Sequence, residues 1–131
     1  MLLSIAMAKQ IRALVVDDSV AMRRSLMFAL QRLGNVACVE AQDGAEALKQ
    51  LGAGAFDVVL TDINMPVLDG LKLIGHIRQR AEPRVPIVVI STEAAEADRA
   101  KALSLGADAY LVKPVKAESV MAMVKELLRL G

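Results

Sequence analysis

The stretch "FDVVLTDINMPVLDG", residues 56–70, places a carboxylate at the end of an apolar run. Its first part, "FDVVLT" (56–61), predicts a buried strand because it is short, apolar and rich in β-branched residues. Asp62 follows at once, and Asp69-Gly70 then has the composition of a helix start. A charged group beside a buried strand is costly unless it has a partner or a function. The rest of the sequence therefore has to supply one or the other for Asp62.

Strand-like and helix-like segments alternate five times along the chain. The predicted strands are 11–16, 36–40, 56–61, 87–91 and 109–112, and the predicted helices are 20–33, 44–51, 70–80, 95–105 and 116–129. This alternation is typical of a parallel sheet with helices on both faces. Right-handed crossovers make it a doubly wound α/β fold, in which sites form at the carboxyl ends of the strands.

Composition limits the classes of protein that fit. The chain has 131 residues, which predicts one domain, and its net charge of +1 gives no electrostatic case for binding nucleic acid or an anionic membrane. No run approaches the length of a membrane span. Cys38 is the single cysteine, so no internal disulfide is possible and we expect a reducing compartment, the cytoplasm. Cys38 is interpreted as a small buried hydrophobe, with a reactive thiol as the alternative.

The N-terminal residues, "MLLSIAMA", do not resemble a signal peptide because they lack a basic segment and a cleavage site. We expect residues 1–8 to form a disordered extension, in which Met7 is an alternative start. The folded domain is then predicted over residues 9–131.

Polar side chains stand at the ends of four of the five predicted strands. They are Asp17 and Asp18 after the first, Asp62 after the third, Ser91 and Thr92 at the fourth, and Lys113 after the fifth. Three clustered carboxylates raise one another's pKa unless a cation joins them, and oxygen ligands suit Mg²⁺. A positioned Mg²⁺, an ammonium and a hydroxyl are what a transferring phosphoryl group requires, and one carboxylate can act as nucleophile.

Each of these signals has a simpler explanation when taken alone. Asp17-Asp18-Ser19 can be the cap of the following helix, as can Ser91-Thr92, and Lys113-Pro114 can be an ordinary turn. Their joint placement at one sheet edge is what favours a site.

Four segments, in this order, resemble the receiver domains of two-component response regulators, and most closely the stand-alone chemotaxis type. They are "VVDDSVAMRR" (15–24), "LTDINMPVLDG" (60–70), "VVIS" (88–91) and "GADAYLVKP" (106–114), and the resemblance runs from about residue 10 to the end of the chain. It implies a flavodoxin-like (βα)5 fold with a five-stranded parallel sheet of order 2-1-3-4-5.

The resemblance also implies a role for most of the polar residues. Asp62 matches the phosphoacceptor, and Asp18 and Asp62 match the direct Mg²⁺ ligands. Asp17 matches a ligand that acts through a water, and the backbone carbonyl of Asn64 completes the protein ligands. Lys113 matches the lysine that pairs with the phosphoryl oxygens.

The remaining matches concern the switch. Ser91 matches the hydroxyl that binds the phosphoryl group, with Thr92 as a rival that the spacing disfavours. Tyr110 matches the aromatic that turns between exposed and buried rotamers. Lys113-Pro114 matches a cis peptide of the family, which would aim the lysine inward.

Two further positions, Asn64 and Glu93, match those that tune the attacking water and the lifetime of the acyl phosphate. Both resemble the fast-cycling chemotaxis type, so a short-lived phosphoryl group is expected. The chain departs from the common pattern at Ile63, at Val115 and at Ser91, where a hydroxyl is kept but threonine is more frequent.

The resemblance predicts a signalling switch. A histidine kinase donates a phosphoryl group to Asp62 with Mg²⁺, and the surface of the fourth helix, fifth strand and fifth helix changes to control a partner protein, in chemotaxis or motility. The chain promotes its own phosphorylation and dephosphorylation and is not a conventional enzyme. We expect a monomer or a weak dimer on phosphorylation.

Three alternatives remain. The chain can be a receiver cut from a larger regulator or hybrid kinase, or a degenerate receiver that only binds partners. A phosphatase is the third, but such enzymes usually carry a second aspartate two residues after the nucleophile, where this chain has Asn64.

Two helices carry further expectations. In the last helix, Val120, Val124 and Leu127 keep a core spacing, whereas Met121 and Leu128 fall to another side, as a docking or dimer surface or as ordinary packing. His76, the lone histidine, is expected to face solvent on the polar side of the third helix, beside Arg78.

Overall fold

The computed structural model describes residues 10–80 and 84–130, in which five strands alternate with five helices. In chain order the elements are β1 (Ile11–Val16), α1 (Val20–Gln31), β2 (Val36–Ala41), α2 (Gly44–Ala53), β3 (Val58–Thr61), α3 (Gly70–Arg78), β4 (Ile87–Ser91), α4 (Glu96–Leu105), β5 (Ala109–Val112) and α5 (Ala117–Leu128). The strands are parallel and lie in the order β2-β1-β3-β4-β5, so the predicted doubly wound, flavodoxin-like sheet is confirmed. The extension predicted over residues 1–8 lies outside the described residues.

The central strands β3 and β4 are apolar except for Thr61 and Ser91 at their ends, because both of their faces are covered. Every residue of β3 and β4 is buried. Alternate side chains point to opposite faces, where they join two separate clusters. Helices α2, α3 and α4 cover one face, and α1 and α5 cover the other. A rigid sheet between two helical layers therefore holds the strand ends in place.

Three helices begin with a side-chain cap. Ser19 Oγ accepts a hydrogen bond from the backbone N–H of Met22, and the carboxylates of Asp43 and Asp69 do the same for α2 and α3. The explanation of Asp17-Asp18-Ser19 as a helix cap is thus confirmed at Ser19, while the Asp17 carboxylate is used elsewhere.

Predicted element ends differ from the observed ends by one or two residues. The third strand begins at Val58 instead of residue 56, because the Asp57 side chain bonds the backbone of the neighbouring strand β1. Its carboxylate accepts a hydrogen bond of 2.8 Å from the N–H of Arg12, and its own N–H donates to the Arg12 carbonyl at 2.8 Å. The first helix ends at Gln31 instead of residue 33, and Gly34 follows with a φ of +123°.

The start of α3 lies directly against the end of β3. Gly70 N–H donates to the carbonyl of Ile63 at 2.8 Å, and a Cβ on Gly70 would lie 2.8 Å from Ile63 Cα and 2.9 Å from the carbonyl carbon of Asp62. The carbonyl oxygen of Asp62 would be closer still. Only glycine permits this approach, which positions the backbone of Asp62.

Predictions for individual side chains on the helices had mixed outcomes. His76 is exposed as predicted, but Arg78 is not on a polar surface, because its guanidinium turns inward to Asp108 and backbone carbonyls. In α5, Leu128 is partly buried and packs against the cluster under α1, so ordinary packing is its role there.

Cys38 is half-buried and packs against the same cluster. Burial raises the pKa of its thiol, and the charge of Glu40 raises it further. A raised thiol pKa disfavours the thiolate, which argues against the reactive alternative.

Candidate functional site

The carboxyl ends of β1, β3 and β5 bring Asp17, Asp62 and Lys113 into contact. Lys113 Nζ donates to Asp17 Oδ2 at 2.8 Å and to Asp62 Oδ2 at 3.0 Å. Asp62 is held from behind as well, because its backbone N–H donates to the carbonyl of Val16 at 3.0 Å. The predicted convergence of these side chains at one sheet edge is confirmed.

Asp18 completes an acidic cluster with Asp17 and Asp62, in which one carboxylate oxygen of each residue lies within 4.8 Å of the others. The three carboxylates carry a formal charge of −3 and Lys113 carries +1, so the cluster keeps −2. Asp17 and Asp62 are only 1% and 8% exposed, and charges so deeply buried need compensation. Oxygen ligands with this residual charge fit a hard divalent cation such as Mg²⁺.

The two buried carboxylates are fixed, whereas Asp18 is open to solvent. Asp62 Oδ1 accepts from the N–H groups of Ile63 at 2.6 Å and Asn64 at 3.3 Å, while its Oδ2 accepts from Lys113. Asp17 uses Oδ1 to accept from Ser19 N–H at 2.9 Å and Oδ2 to accept from Lys113. Asp18 is exposed, which leaves its carboxylate accessible to an incoming cation.

The ammonium of Lys113 is stabilised in its charged form. Burial by itself disfavours the charge, but the hydrogen bonds and negative charges of Asp17 and Asp62 outweigh it, so the pKa of Lys113 is raised above its ordinary 10.5. The Lys113–Pro114 peptide is cis, as the resemblance implied, and Lys113 N–H donates to the carbonyl of Ser91 at 2.8 Å.

Ser91 and Tyr110 are both buried: Ser91 is the last residue of β4, and Tyr110 lies within β5. Ser91 is wholly buried and its Oγ accepts from Glu93 N–H at 3.1 Å, whereas Thr92 is exposed. Tyr110 is 8% exposed, and its Oη donates to the carbonyl of Glu93 at 2.7 Å. Burial is the main cause that raises the pKa of the Tyr110 phenol. Tyr110 therefore occupies the inward orientation.

Asn64 and Glu93 touch each other across the opening of the site. Asn64 Nδ2 donates to Glu93 Oε1 at 2.9 Å, which links the loop after β3 to the loop after β4. Both side chains are exposed. The sequence predicted a shared role for these residues but not their contact, since they stand 29 positions apart.

Sequence reasoning missed one residue beside the acidic cluster. Arg23 Nη1 donates to the carbonyl of Asp17 at 2.7 Å, and its Nε donates to Glu40 Oε1 at 2.9 Å. Arg23 lies four residues after the helix cap Ser19, so it sits one turn into α1 and above the preceding loop. This spacing from Ser19 was the signal in the sequence from which the position of Arg23 could have been predicted.

No helix within residues 10–80 and 84–130 is long and apolar enough to span a bilayer.

The family model described as "Response regulator receiver domain" matches residues 13–125. The chain belongs to the response regulator receiver family. Among curated relatives, the receiver domain is 38% identical over 122 residues to a gliding motility regulatory protein of Myxococcus xanthus. It is 42% identical over 118 residues to the transcriptional regulatory protein PrrA of Mycobacterium tuberculosis. These matches cover 92% and 90% of the chain, but only 16% and 50% of the two relatives.

Solved structures agree with this assignment. The chemotaxis response regulator CheY4 of Vibrio cholerae is similar with a TM-score of 0.84 and 29% identity, over 91% of this chain and 99% of that one. The receiver domain of the response regulator NarL from Mycobacterium tuberculosis is similar with a TM-score of 0.85 and 31% identity, over 94% and 99%. The chain thus covers nearly the whole of the solved receiver structures, but only part of the length of the curated relatives.

Proposed function

We propose that this receiver domain accepts a phosphoryl group on Asp62 from a histidine kinase, in a reaction that requires Mg²⁺. One observation carries the proposal: Lys113 lies between two buried carboxylates, at 2.8 Å from Asp17 and 3.0 Å from Asp62, with Asp18 open beside them. A lysine and a divalent cation are suited to the oxygens of a transferring phosphoryl group. A carboxylate that only caps the next helix would not need a lysine and two further carboxylates around it.

Asp62 acts as the nucleophile in this proposal. One of its oxygens bonds to phosphorus while the bond from phosphorus to the donor imidazole nitrogen breaks, and that nitrogen takes up a proton. The N–H groups of Ile63 and Asn64 orient the carboxylate, and Lys113 follows the charge as it moves onto the phosphoryl oxygens. Bound Mg²⁺ would supply further charge neutralisation, with Asp18 and Asp62 as direct ligands, Asp17 through a water, and the Asn64 carbonyl completing the set.

Ser91 and Tyr110 carry the signal to the surface. The Ser91 hydroxyl accepts from Glu93 N–H and lies beside the Tyr110 phenol, whose pKa is raised by burial and lowered in part by Ser91. The hydrogen of Ser91 would therefore turn from Tyr110 to a phosphoryl oxygen. Tyr110 in its inward orientation is held by the Glu93 carbonyl. The surface of α4, β5 and α5 exposes Leu105 and Val112 by 37% and 43%, which supports its use as the partner-binding face. Phosphorylation then shifts a two-state equilibrium of this face.

Hydrolysis of the phosphoryl group is proposed to be fast and to depend on Asn64 and Glu93. Their side chains meet at 2.9 Å, and Asn64 also bonds Asp62 through its backbone N–H, so both can contact a water that approaches Asp62. The chain thus promotes its own phosphorylation and dephosphorylation without being a conventional enzyme.

The wider role is proposed from the relatives. Similarity to a chemotaxis regulator and a gliding motility regulatory protein supports a function in chemotaxis or motility through a protein partner. We also propose a cytoplasmic location and no binding of nucleic acid or membrane by this domain itself, for which its net charge of +1 gives no electrostatic case. The partial coverage of those longer relatives supports the alternative that this domain, over residues 9–131, works within a larger regulator. We propose a monomer that forms at most a weak dimer on phosphorylation.

Titration with Mg²⁺ and beryllofluoride, a phosphoryl mimic, tests the proposal. We expect amide shifts near Asp62, Ser91 and Tyr110 in NMR spectra of the wild type and none in Asp62→Asn. A wild type that stays silent would show a degenerate receiver that only binds partners. Equal shifts in the wild type and in Asp62→Asn would show that Asp62 is not the residue that binds the phosphoryl mimic.

A further inference from the structure

We infer that Arg23 is a positioning residue for the divalent cation, because it fixes the peptide through which Asp18 is presented. The inference rests on the proposed function, since it assumes that the acidic cluster binds Mg²⁺. It concerns a residue that touches neither the cation nor the phosphoryl group.

Arg23 holds the peptide bond between Asp17 and Asp18. The carbonyl of Asp17, which accepts from Arg23 Nη1 at 2.7 Å, belongs to the peptide that joins Asp17 to Asp18. Fixing that oxygen fixes the peptide plane and hence the direction in which the Asp18 side chain leaves the backbone. Asp17 is held elsewhere by its N–H, which donates to Ala41, and by its two carboxylate oxygens. The peptide after Asp18 is held by Ser19 N–H on Asp17 Oδ1, and the bond from Arg23 is the one that fixes the peptide before Asp18.

Glu40 holds the guanidinium in place and balances its charge. It lies on β2 opposite Val15 of β1 and accepts from Arg23 Nε at 2.9 Å. The Arg23 side chain is 12% exposed and that of Glu40 is 44% exposed, so the cation is the buried partner. A buried cation beside a cation site would repel Mg²⁺ unless an anion compensated it. The pair therefore supplies a hydrogen bond to the metal loop at little electrostatic cost.

A purely structural role predicts a different result from a positioning role. If Arg23 only joined α1 to β2, its removal would lower stability and, by removing a positive charge, would leave Mg²⁺ binding unchanged or tighter. If Arg23 positions Asp18, its removal weakens Mg²⁺ binding. The sign of the change in Mg²⁺ affinity separates the two.

The experiment compares Arg23→Met, Arg23→Lys and Glu40→Gln with the wild type. Mg²⁺ alone is titrated while the amides of Asp18 and Asp62 are followed by NMR, and urea unfolding gives the stability of each variant. We expect Arg23→Met to weaken Mg²⁺ binding by about 10-fold, the lower end for a residue that supports a metal ligand. Arg23→Lys should also weaken it, because an ammonium keeps the charge but cannot span both partners as the planar guanidinium does.

Glu40→Gln is the matched control. It removes the compensating charge but leaves the bond from Arg23 to the Asp17 carbonyl, so we expect Mg²⁺ binding to weaken less than in Arg23→Met and by an amount that salt screens. Stability should fall in both Glu40→Gln and Arg23→Met.

Three outcomes would overturn the inference. Unchanged or tighter Mg²⁺ binding by Arg23→Met would leave Arg23 as a brace between α1 and β2, and equal weakening by Glu40→Gln would assign the effect to the ion pair. If Arg23→Met fails to fold, Arg23→Lys decides, and wild-type affinity in that variant would refute positioning. A wild type that binds no Mg²⁺ would overturn the proposed function itself, which keeps the two failures distinct.

Discussion

Replacing Gly70 with alanine should destabilise the receiver domain and disturb Asp62 through one added methyl group. The new Cβ would lie 2.8 Å from Ile63 Cα and 2.9 Å from the carbonyl carbon of Asp62. Carbon atoms pack best at about 3.5–4.0 Å, so the start of α3 and the end of β3 must separate by roughly 0.7 Å or more. Such overpacking costs about 2–3 kcal/mol when backbone has to move.

Urea unfolding followed by circular dichroism measures this cost. For a urea slope of about 2 kcal/mol/M, the midpoint should fall by about 1–1.5 M. Beryllofluoride binding in the folded variant should also weaken, because the backbone that has to move carries Asp62, the proposed phosphoacceptor.

Gly75 provides the matched control on the same helix. A Cβ there meets nothing within 4 Å, so Gly75→Ala only removes the entropic cost of a helical glycine and should stabilise the domain by about 0.5–1 kcal/mol. The reasoning is refuted if Gly70→Ala is as stable as the wild type, or if both substitutions change stability in the same direction.

Three other predictions concern stability, and urea unfolding measures each. The raised pKa of Lys113 means that its stabilising contribution is complete below pH 10.5 and is lost as the pH rises through the higher folded-state pKa, so Lys113→Met should remove that alkaline loss of stability. Val67→Gly should raise stability by about 0.5–1 kcal/mol, because Val67 has a φ of +68° that strains a β-branched residue, and a lower stability would contradict this. Asp108→Ala should cost about 3 kcal/mol because it leaves the half-buried Arg78 without its carboxylate, whereas Arg84→Ala, which removes a 60% exposed partner, should cost less than about 1 kcal/mol.

The fold and the main site residues were predictable because each depends on local or repeated patterns. Short apolar runs that alternate with amphipathic segments specify a parallel sheet, and parallel strands bring their carboxyl ends to one edge. Asp17, Asp62 and Lys113 therefore converge whatever the details of the loops. Their positions at the strand ends were enough to predict that they meet, and Lys113 Nζ lies 2.8 Å from Asp17 Oδ2 and 3.0 Å from Asp62 Oδ2.

Features that depend on long-range contacts were not predictable. Asp57 was assigned to a strand by its apolar neighbours, but its carboxylate bonds Arg12, 45 residues away, and the strand begins later. Arg78 was placed on a polar helix face by its charge, but its guanidinium reaches Asp108, which a pattern of helical periodicity cannot show. The inward orientation of Tyr110 likewise depends on a carbonyl from another loop.

Glu93 uses its backbone and its side chain for two different purposes. Its backbone N–H and carbonyl serve Ser91 and Tyr110, whereas its side chain reaches Asn64. Every amino acid except proline offers the same two backbone groups. A substitution at Glu93 would therefore change the proposed rate of hydrolysis but keep the hydrogen bonds to Ser91 and Tyr110. Under the proposed function, a single substitution at position 93 would thus change how long the phosphoryl group persists without changing the surface that a partner protein binds.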